Sequence, residues 1–191
     1  MLPFEIENLV DEEAGPPGFL WMDECDPAAV DDRMPDHAGC FGGCGLVLSS
    51  AGSQQPAVTL QKRSGKGWGV YADEPLPAGS LLGQYGGEYI SNAEAQRRLK
   101  EYDTSGGGHA LLVLREWLPS GTAAIRLNID ATRRGNLARF FNHSCDGGNL
   151  QLLLARHTGC LLPRVVFVTS RAVQQGEELT CPRGAPLPYV N

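Results

Sequence analysis

The chain has 191 residues, 42% of them apolar, which suits one folded domain or one with a small appendage. Its formal net charge of -6 argues against direct binding to nucleic-acid phosphate, and no apolar run approaches the ~18 residues of a membrane span. The N-terminus "MLPFEIENLVDEEAGPPG" is too acidic for a secretory signal or transit peptide, so an intracellular protein is expected, with its six cysteines held as free thiols or metal ligands.

Residues 1 to about 60 are rich in Asp, Glu, Pro and Gly and poor in periodicity, which predicts loops, with disorder in the first twenty residues. From Trp68 onward, short apolar runs recur between turn signals: "WGVYA", "SLLGQY", "HALLVLR", "IRLNID", "LQLLLA" and "RVVFVTS". Each has the length and residue types of a strand, and 24 glycines with 13 prolines leave room for many turns, so the fold class is mainly β. One helix interrupts the strands at "SNAEAQRRLKEY". Ser91 is its N-cap, Glu94 stands where a capping box has its reciprocal partner, and Asp103 with the glycines at 106–108 ends it.

Two stretches concentrate unusual residues. "SGKGWGVYA" sets Gly65, Gly67 and Gly69 around Lys66 and Trp68 at the start of a strand, where glycine lets the backbone come close to a ligand. It lacks the spacing of a phosphate-binding loop, and a glycine-rich hairpin with a core tryptophan remains open as its meaning. "GNLARFFNHSC" packs aromatics, Asn142, His143, Ser144 and Cys145 together, although Asn-His-Ser is also ordinary turn chemistry.

"GKGWGV", "LPAGSLLGQYGGEYIS", "NIDATRRGNLARFFNHSC" and "RVVFVTSRAVQQGEELT" follow one another in an order and spacing that resemble the SET-domain protein-lysine methyltransferases, most of all the suppressor-of-variegation histone H3 type. The resemblance covers roughly Cys40 to Gly184. It implies a β-clip of small curved sheets with one or two short helices and a C-terminal pseudoknot. It implies S-adenosyl-L-methionine as cofactor, held by Lys66, Gly67, Trp68, Gly69 and His109 on one side and by Arg139, Phe140, Asn142 and His143 on the other. His143 then positions the cofactor and is not a general base, which disposes of a Cys-His nucleophile. Tyr85 falls at a lysine-channel tyrosine and is the catalytic candidate. The implied substrate is a lysine in a histone tail or other basic peptide. The implied protein is a nuclear, chromatin-associated monomer with no membrane and no nucleic acid among its direct partners. Methyl transfer needs the amine neutral, in line and dry, which a narrow aromatic channel supplies.

The chain departs from that family in specific places. The family's second active-site tyrosine lies in a segment that here reads "GEELTCPRG", so Arg183 takes its position; a guanidinium cannot accept a hydrogen bond from the amine. His109 stands where relatives carry a cofactor-facing tyrosine. Cys40 and Cys44 keep the C-x-x-x-C spacing of the pre-SET zinc region, but with Cys25 they make only three thiols, and His37 is the remaining candidate for a closed zinc site. Cys145 has no post-SET partners, and "CDGGN" replaces the family's tighter turn. The expected organisation is a loop-rich segment at 1–39, a pre-SET remnant at 40–60, the SET domain at 61–184 and a short tail at 185–191. A degenerate or truncated SET module that binds cofactor or partner without catalysis stays open beside the enzyme.

Overall fold

The computed structural model describes residues 5–8, 10–16, 18–22, 26–29, 56–106, 108–117, 122, 124–155, 162–182 and 189–190. In chain order these form β1 (Glu5–Asn8), β2 (Leu20–Trp21), β3 (Asp26–Ala29), β4 (Val58–Arg63), β5 (Gly67–Ala72), β6 (Leu81–Gln84), β7 (Glu88–Ile90), α1 (Asn92–Ser105), β8 (Leu111–Trp117), β9 (Ala124–Asp130), β10 (Arg134–Gly135), a 3-10 turn (Leu137–Phe140), β11 (Asn142–Ser144), β12 (Leu150–Ala155), β13 (Arg164–Thr169), β14 (Thr180–Pro182) and β15 (Tyr189–Val190). The fold is mainly β, as the strand-length runs imply. The strands are dealt into five small sheets, ordered β1-β4-β5, β10-β2, β11-β14, β15-β12-β13-β6 and β3-β7-β9-β8.

The six apolar runs all become strands, and the buried face of each feeds one core. Leu60, Val70, Ile129, Leu150, Leu154, Val165, Val173 and Leu179 are buried to 2% exposure or less. At ~25 cal/mol per Å² of apolar surface removed from water, this cluster is the main source of stability. Tyr89 sits among them and spans to the carbonyl of Pro163.

α1 begins where the sequence predicts. Ser91 Oγ accepts from the Glu94 amide at 3.2 Å, and Gly106 ends the helix in the left-handed region (φ 66°). The reciprocal half of the capping box does not form. Glu94 gives its carboxylate to Arg97 and Arg98 instead, which hold it down at a pKa of about 2. Arg98 in turn reaches Glu88 and the fully buried Asp130, and Tyr102 donates to the same Asp130 oxygen at 2.7 Å. Burial raises the Asp130 carboxyl, and its hydrogen bonds from Thr132, Arg98 and Tyr102 outweigh that and leave it below the ordinary range. This network docks α1 on β9.

The described residues among the first twenty correct the expectation of disorder. β1 pairs in parallel with β4 in the register Glu5↔Thr59 to Asn8↔Lys62, and Lys62 Nζ is bonded by both Asp11 and Glu13. The acidic run that reads as solvated chain is folded around one lysine supplied from 51 residues away. Beyond it, β2 runs parallel to β10, with Leu20 N donating to Arg133 O at 2.9 Å and Met22 N to Gly135 O at 2.8 Å.

Candidate functional site

Glycine dictates the first wall of the site. β4 and β5 form a hairpin whose turn uses Gly65 (φ 76°) and Gly67 (φ 74°), both in the left-handed region, to bring Lys66 and Trp68 onto the rim. Gly69 is needed for space. A Cβ there would stand 2.8 Å from Glu178 Oε1 and 2.9 Å from Asn142 Nδ2, closer than real contacts allow. Against this wall lies Asn142, whose amide donates to Trp68 O at 3.1 Å and to Glu178 Oε1 at 2.8 Å. Lys66 Nζ closes the group on Glu178 Oε2 at 2.8 Å. Burial pushes the Glu178 carboxyl up, and the Lys66 and Asn142 bonds more than offset this, holding it below the ordinary glutamate value.

Segment 177–182 is held from both sides. On one, Leu179 N donates to Val70 O at 2.8 Å and Ala72 N to Glu177 O at 3.0 Å. On the other, β14 pairs in parallel with β11, His143 opposite Cys181. The loop joining β11 to β12 closes over it. Asn149, 1% exposed, donates to Glu178 O (2.8 Å) and Glu177 Oε1 (3.0 Å) and accepts from Thr180 N (2.9 Å). Gly148 (φ 63°) presses so closely on this segment that a Cβ would meet Thr180 O at 2.5 Å. Gly148 of "CDGGN" is therefore a close-packing position, whereas a Cβ at Gly147 (φ 101°) would meet nothing within 4 Å.

Tyr85 is clamped on both flanks. Asn136 accepts from Gly86 N (3.1 Å) and donates to Gln84 O (2.9 Å), while Tyr85 N donates to Val165 O (2.8 Å). The ring is buried, and its hydroxyl donates to Ala110 O at 2.7 Å. Phe167 lies 6.2 Å from the Tyr85 ring and meets Phe141 edge to face at 4.9 Å, so an apolar wall joins Tyr85 to the residue before Asn142.

Other predicted residues are distributed around this centre. The Trp68 indole N–H is buried without a hydrogen-bond partner. Phe140 enters the core, and the Arg139 guanidinium lies between the rings of Phe19 (4.4 Å) and Phe140 (4.9 Å) with Nε and Nη1 unpartnered. Arg139 thus faces the N-terminal strap, the stretch of chain that carries β1, Phe19 and β2. His109 is exposed and stacks on Tyr102 of α1, centroids 6.1 Å apart. His143 is exposed, with Nδ1 3.2 Å from Cys181 O and Nε2 3.1 Å from Cys145 Sγ. Burial pushes the Cys181 thiol up to about 12.

Residues 67–182 match the SET domain. The chain belongs to the SET-domain family. Among its relatives, the histone-lysine N-methyltransferase SUVR3 of Arabidopsis thaliana is 44% identical over 156 residues, covering 78% of this chain and 44% of the relative. Su(var)3-9 of Drosophila melanogaster is 37% identical over 157 residues, covering 81% of this chain and 24% of the relative. The methyltransferase domain of human SETMAR superposes with a TM-score of 0.59 at 28% identity, over 68% of this chain and 45% of that one. The chain thus spans less than half the length of these two curated relatives.

SET methyltransferases use S-adenosyl-L-methionine, and the residues of this SET domain fit such a ligand. The Trp68 N–H is buried and unpartnered, and on the same hairpin Gly69 leaves the backbone open against the carboxylate-amide-ammonium group of Glu178, Asn142 and Lys66. Among the described residues, no three His, Cys, Asp or Glu side chains come together as a metal site. Cys25, His37, Cys40, Cys44, Cys160 and Arg183 lie outside the described residues. Sequence reasoning overlooked Glu178, Asn149 and Asn136. Glu178 sits inside a quoted motif, but nothing in a single sequence marks a lone buried asparagine as a clamp.

Proposed function

We propose that this SET domain transfers methyl groups from S-adenosyl-L-methionine to a lysine side chain of a protein, a histone tail being the favoured substrate, and that it acts on chromatin in the nucleus as a monomer. The observation that carries this reading is the Asn142 bridge, which ties the hairpin of Lys66–Gly69 to segment 177–182. Relatives named as histone-lysine methyltransferases support the substrate class.

The cofactor supplies a methyl group on a positively charged sulfur, a good leaving group. The chain's own residues then have three tasks. Lys66, Gly67, Trp68, Gly69, Asn142 and His143 hold the ligand, Trp68 through its free N–H and the glycines through exposed backbone. Tyr85 fixes the lysine amine. Its hydroxyl, oriented by the bond to Ala110 O, sets the direction from which the amine meets the methyl group. The Phe141–Phe167 wall keeps water out, which lowers the amine's basicity and lets it enter neutral. Arg139 and His109 support the site from behind, through the strap and through α1.

Two measurements test this. Titration with S-adenosyl-L-methionine reads the hollow, and transfer of a radiolabelled methyl group to histone H3 and H4 peptides reads turnover. Saturable binding with transfer is expected. Binding without transfer would favour the non-catalytic module that Arg183 in "CPRG" suggests, and absence of both would remove the reading.

A further inference from the structure

Lys62 stands in one rung with the tryptophan of the site. Across the three-stranded sheet β1-β4-β5, Asn8 lies opposite Lys62, and Lys62 lies opposite Trp68. Residues opposite one another in a sheet project from the same face, so these three side chains share one. The Lys62 ammonium comes to 5.9 Å from the centroid of the Trp68 ring, within reach of the attraction between a cation and an aromatic face.

Two carboxylates hold that ammonium in place. Lys62 Nζ donates to Asp11 Oδ2 at 2.5 Å and to Glu13 Oε2 at 2.6 Å. Asn8 builds the turn that presents them. Its Nδ2 donates to Asp11 Oδ1 (2.6 Å) and Glu13 O (2.7 Å), and its Oδ1 accepts from the amides of Val10 (3.0 Å) and Asp11 (3.2 Å). Asp11 Oδ1 also accepts from the Glu13 amide at 3.1 Å. The lysine side chain is only 15% exposed, while its two acidic partners are 44% and 56% exposed. Exposed ion pairs contribute little to stability, so the consequence of this trio lies in where it puts the ammonium.

The indole has no polar hold of its own. Asn142 fixes the Trp68 carbonyl, but the Nε1–H is buried without a hydrogen-bond partner, so no bond made by the ring sets its angle. We propose that Lys62 is a positioning residue for the methyl donor: Asp11 and Glu13 fix its ammonium over Trp68, and the ammonium fixes the angle at which the indole meets the ligand. The inference rests on the reading that Trp68 holds S-adenosyl-L-methionine. The acidic turn that begins at Asn8 thereby bears on cofactor affinity without touching the cofactor. Its two carboxylates also offset the lysine charge, which would otherwise stand uncompensated behind a ring that receives a cationic sulfonium.

The indole N–H resonances in heteronuclear NMR spectra test this. The chain has three tryptophans, and Trp68→Phe identifies the resonance of Trp68. Lys62→Met keeps most of the stem and removes the charge; Asp11→Asn combined with Glu13→Gln keeps the lysine and removes the charges that hold it. Both should move the Trp68 resonance in the ligand-free protein and leave that of the exposed Trp117 in place. Both should raise the Kd for S-adenosyl-L-methionine about two- to five-fold, and its KM by more than they lower kcat. Lys62→Arg should return resonance and affinity toward those of the wild type. An unmoved Trp68 resonance in both variants, or unchanged affinity despite a moved one, would overturn the proposal. So would weaker binding accompanied by faster amide exchange at Glu5–Asn8, because the strap would then act by unfolding and not through the indole. A wild type that fails to bind S-adenosyl-L-methionine would overturn the cofactor reading itself, and the resonance shifts would still decide whether Lys62 sets the indole.

Discussion

The side-chain amide of Asn142 donates to the main-chain carbonyl of Trp68 across 3.1 Å, joining two residues 74 positions apart. The same nitrogen also serves Glu178, so one half-buried amide determines whether the hairpin, the "NHS" strand and segment 177–182 share a wall. Asn142→Ala removes both bonds and leaves the Trp68 carbonyl and Glu178 short of a donor. The expected loss is about 1–3 kcal/mol in affinity for S-adenosyl-L-methionine, read by isothermal titration calorimetry. Unchanged affinity would place the cofactor elsewhere.

Gly69→Ala and Gly148→Ala insert a methyl group where none fits. At Gly69 the new carbon lies within 2.9 Å of the Asn142 amide and the Glu178 carboxylate; at Gly148 it lies 2.5 Å from Thr180 O, on a backbone with φ 63°. Each should cost about 1–3 kcal/mol of stability in denaturant titrations. The Gly69 variant should also lose cofactor binding, because it pushes apart the groups that form the hollow.

Tyr85→Phe keeps the ring against Phe167 and removes the hydroxyl that donates to Ala110 O. Methyl transfer is expected to fall by roughly 10²-fold with little change in cofactor affinity, as for loss of one positioned polar group in a site. A parallel fall in both quantities would make Tyr85 a packing residue.

Glu178 links stability to acid. Its carboxyl lies below the ordinary value of 4.5 in the folded chain despite burial, through Lys66 and Asn142. A depressed folded-state pKa contributes stability that is present above 4.5 and fades as the pH drops through the folded value. The difference in unfolding free energy between the wild type and Glu178→Gln should therefore be constant at neutral pH and shrink below pH 4.5. A difference that stays the same from pH 7 to pH 3 would dissociate Glu178 from this linkage.

The two described thiols should react very differently. Cys145 is exposed, whereas burial pushes Cys181 up to about 12, so almost none of it is thiolate at neutral pH. Iodoacetamide at pH 8 followed by peptide mass mapping should label Cys145 well before Cys181. Labelling Cys181 first would mean that β14 leaves β11 readily.

Much of this protein is legible along the chain because the information is local. Six apolar runs of strand length become strands, Ser91 caps the one α-helix among the described residues, and the spacing of "GWG", "FFNHSC" and "GEELT" identifies the family. These features depend on neighbours within one element, where periodicity and capping act. The N-terminal strap was illegible for the opposite reason. Asp11 and Glu13 look like solvated charge until Lys62 is folded against them, and β1 has no apolar pattern of its own strong enough to announce its pairing with β4.

The sequence alone determined the six strands of its apolar runs, the start of the helix and the family; it placed Trp68, Tyr85 and Asn142 as candidates but could not say how they relate. Tertiary structure decided that Asn142 bridges Trp68 to Glu178, that Asn136 and Asn149 act as clamps, and that Arg139 faces Phe19. The physical reason is that a buried amide or carboxylate is defined by the partners that satisfy it, and here those partners come from segments up to 112 residues away.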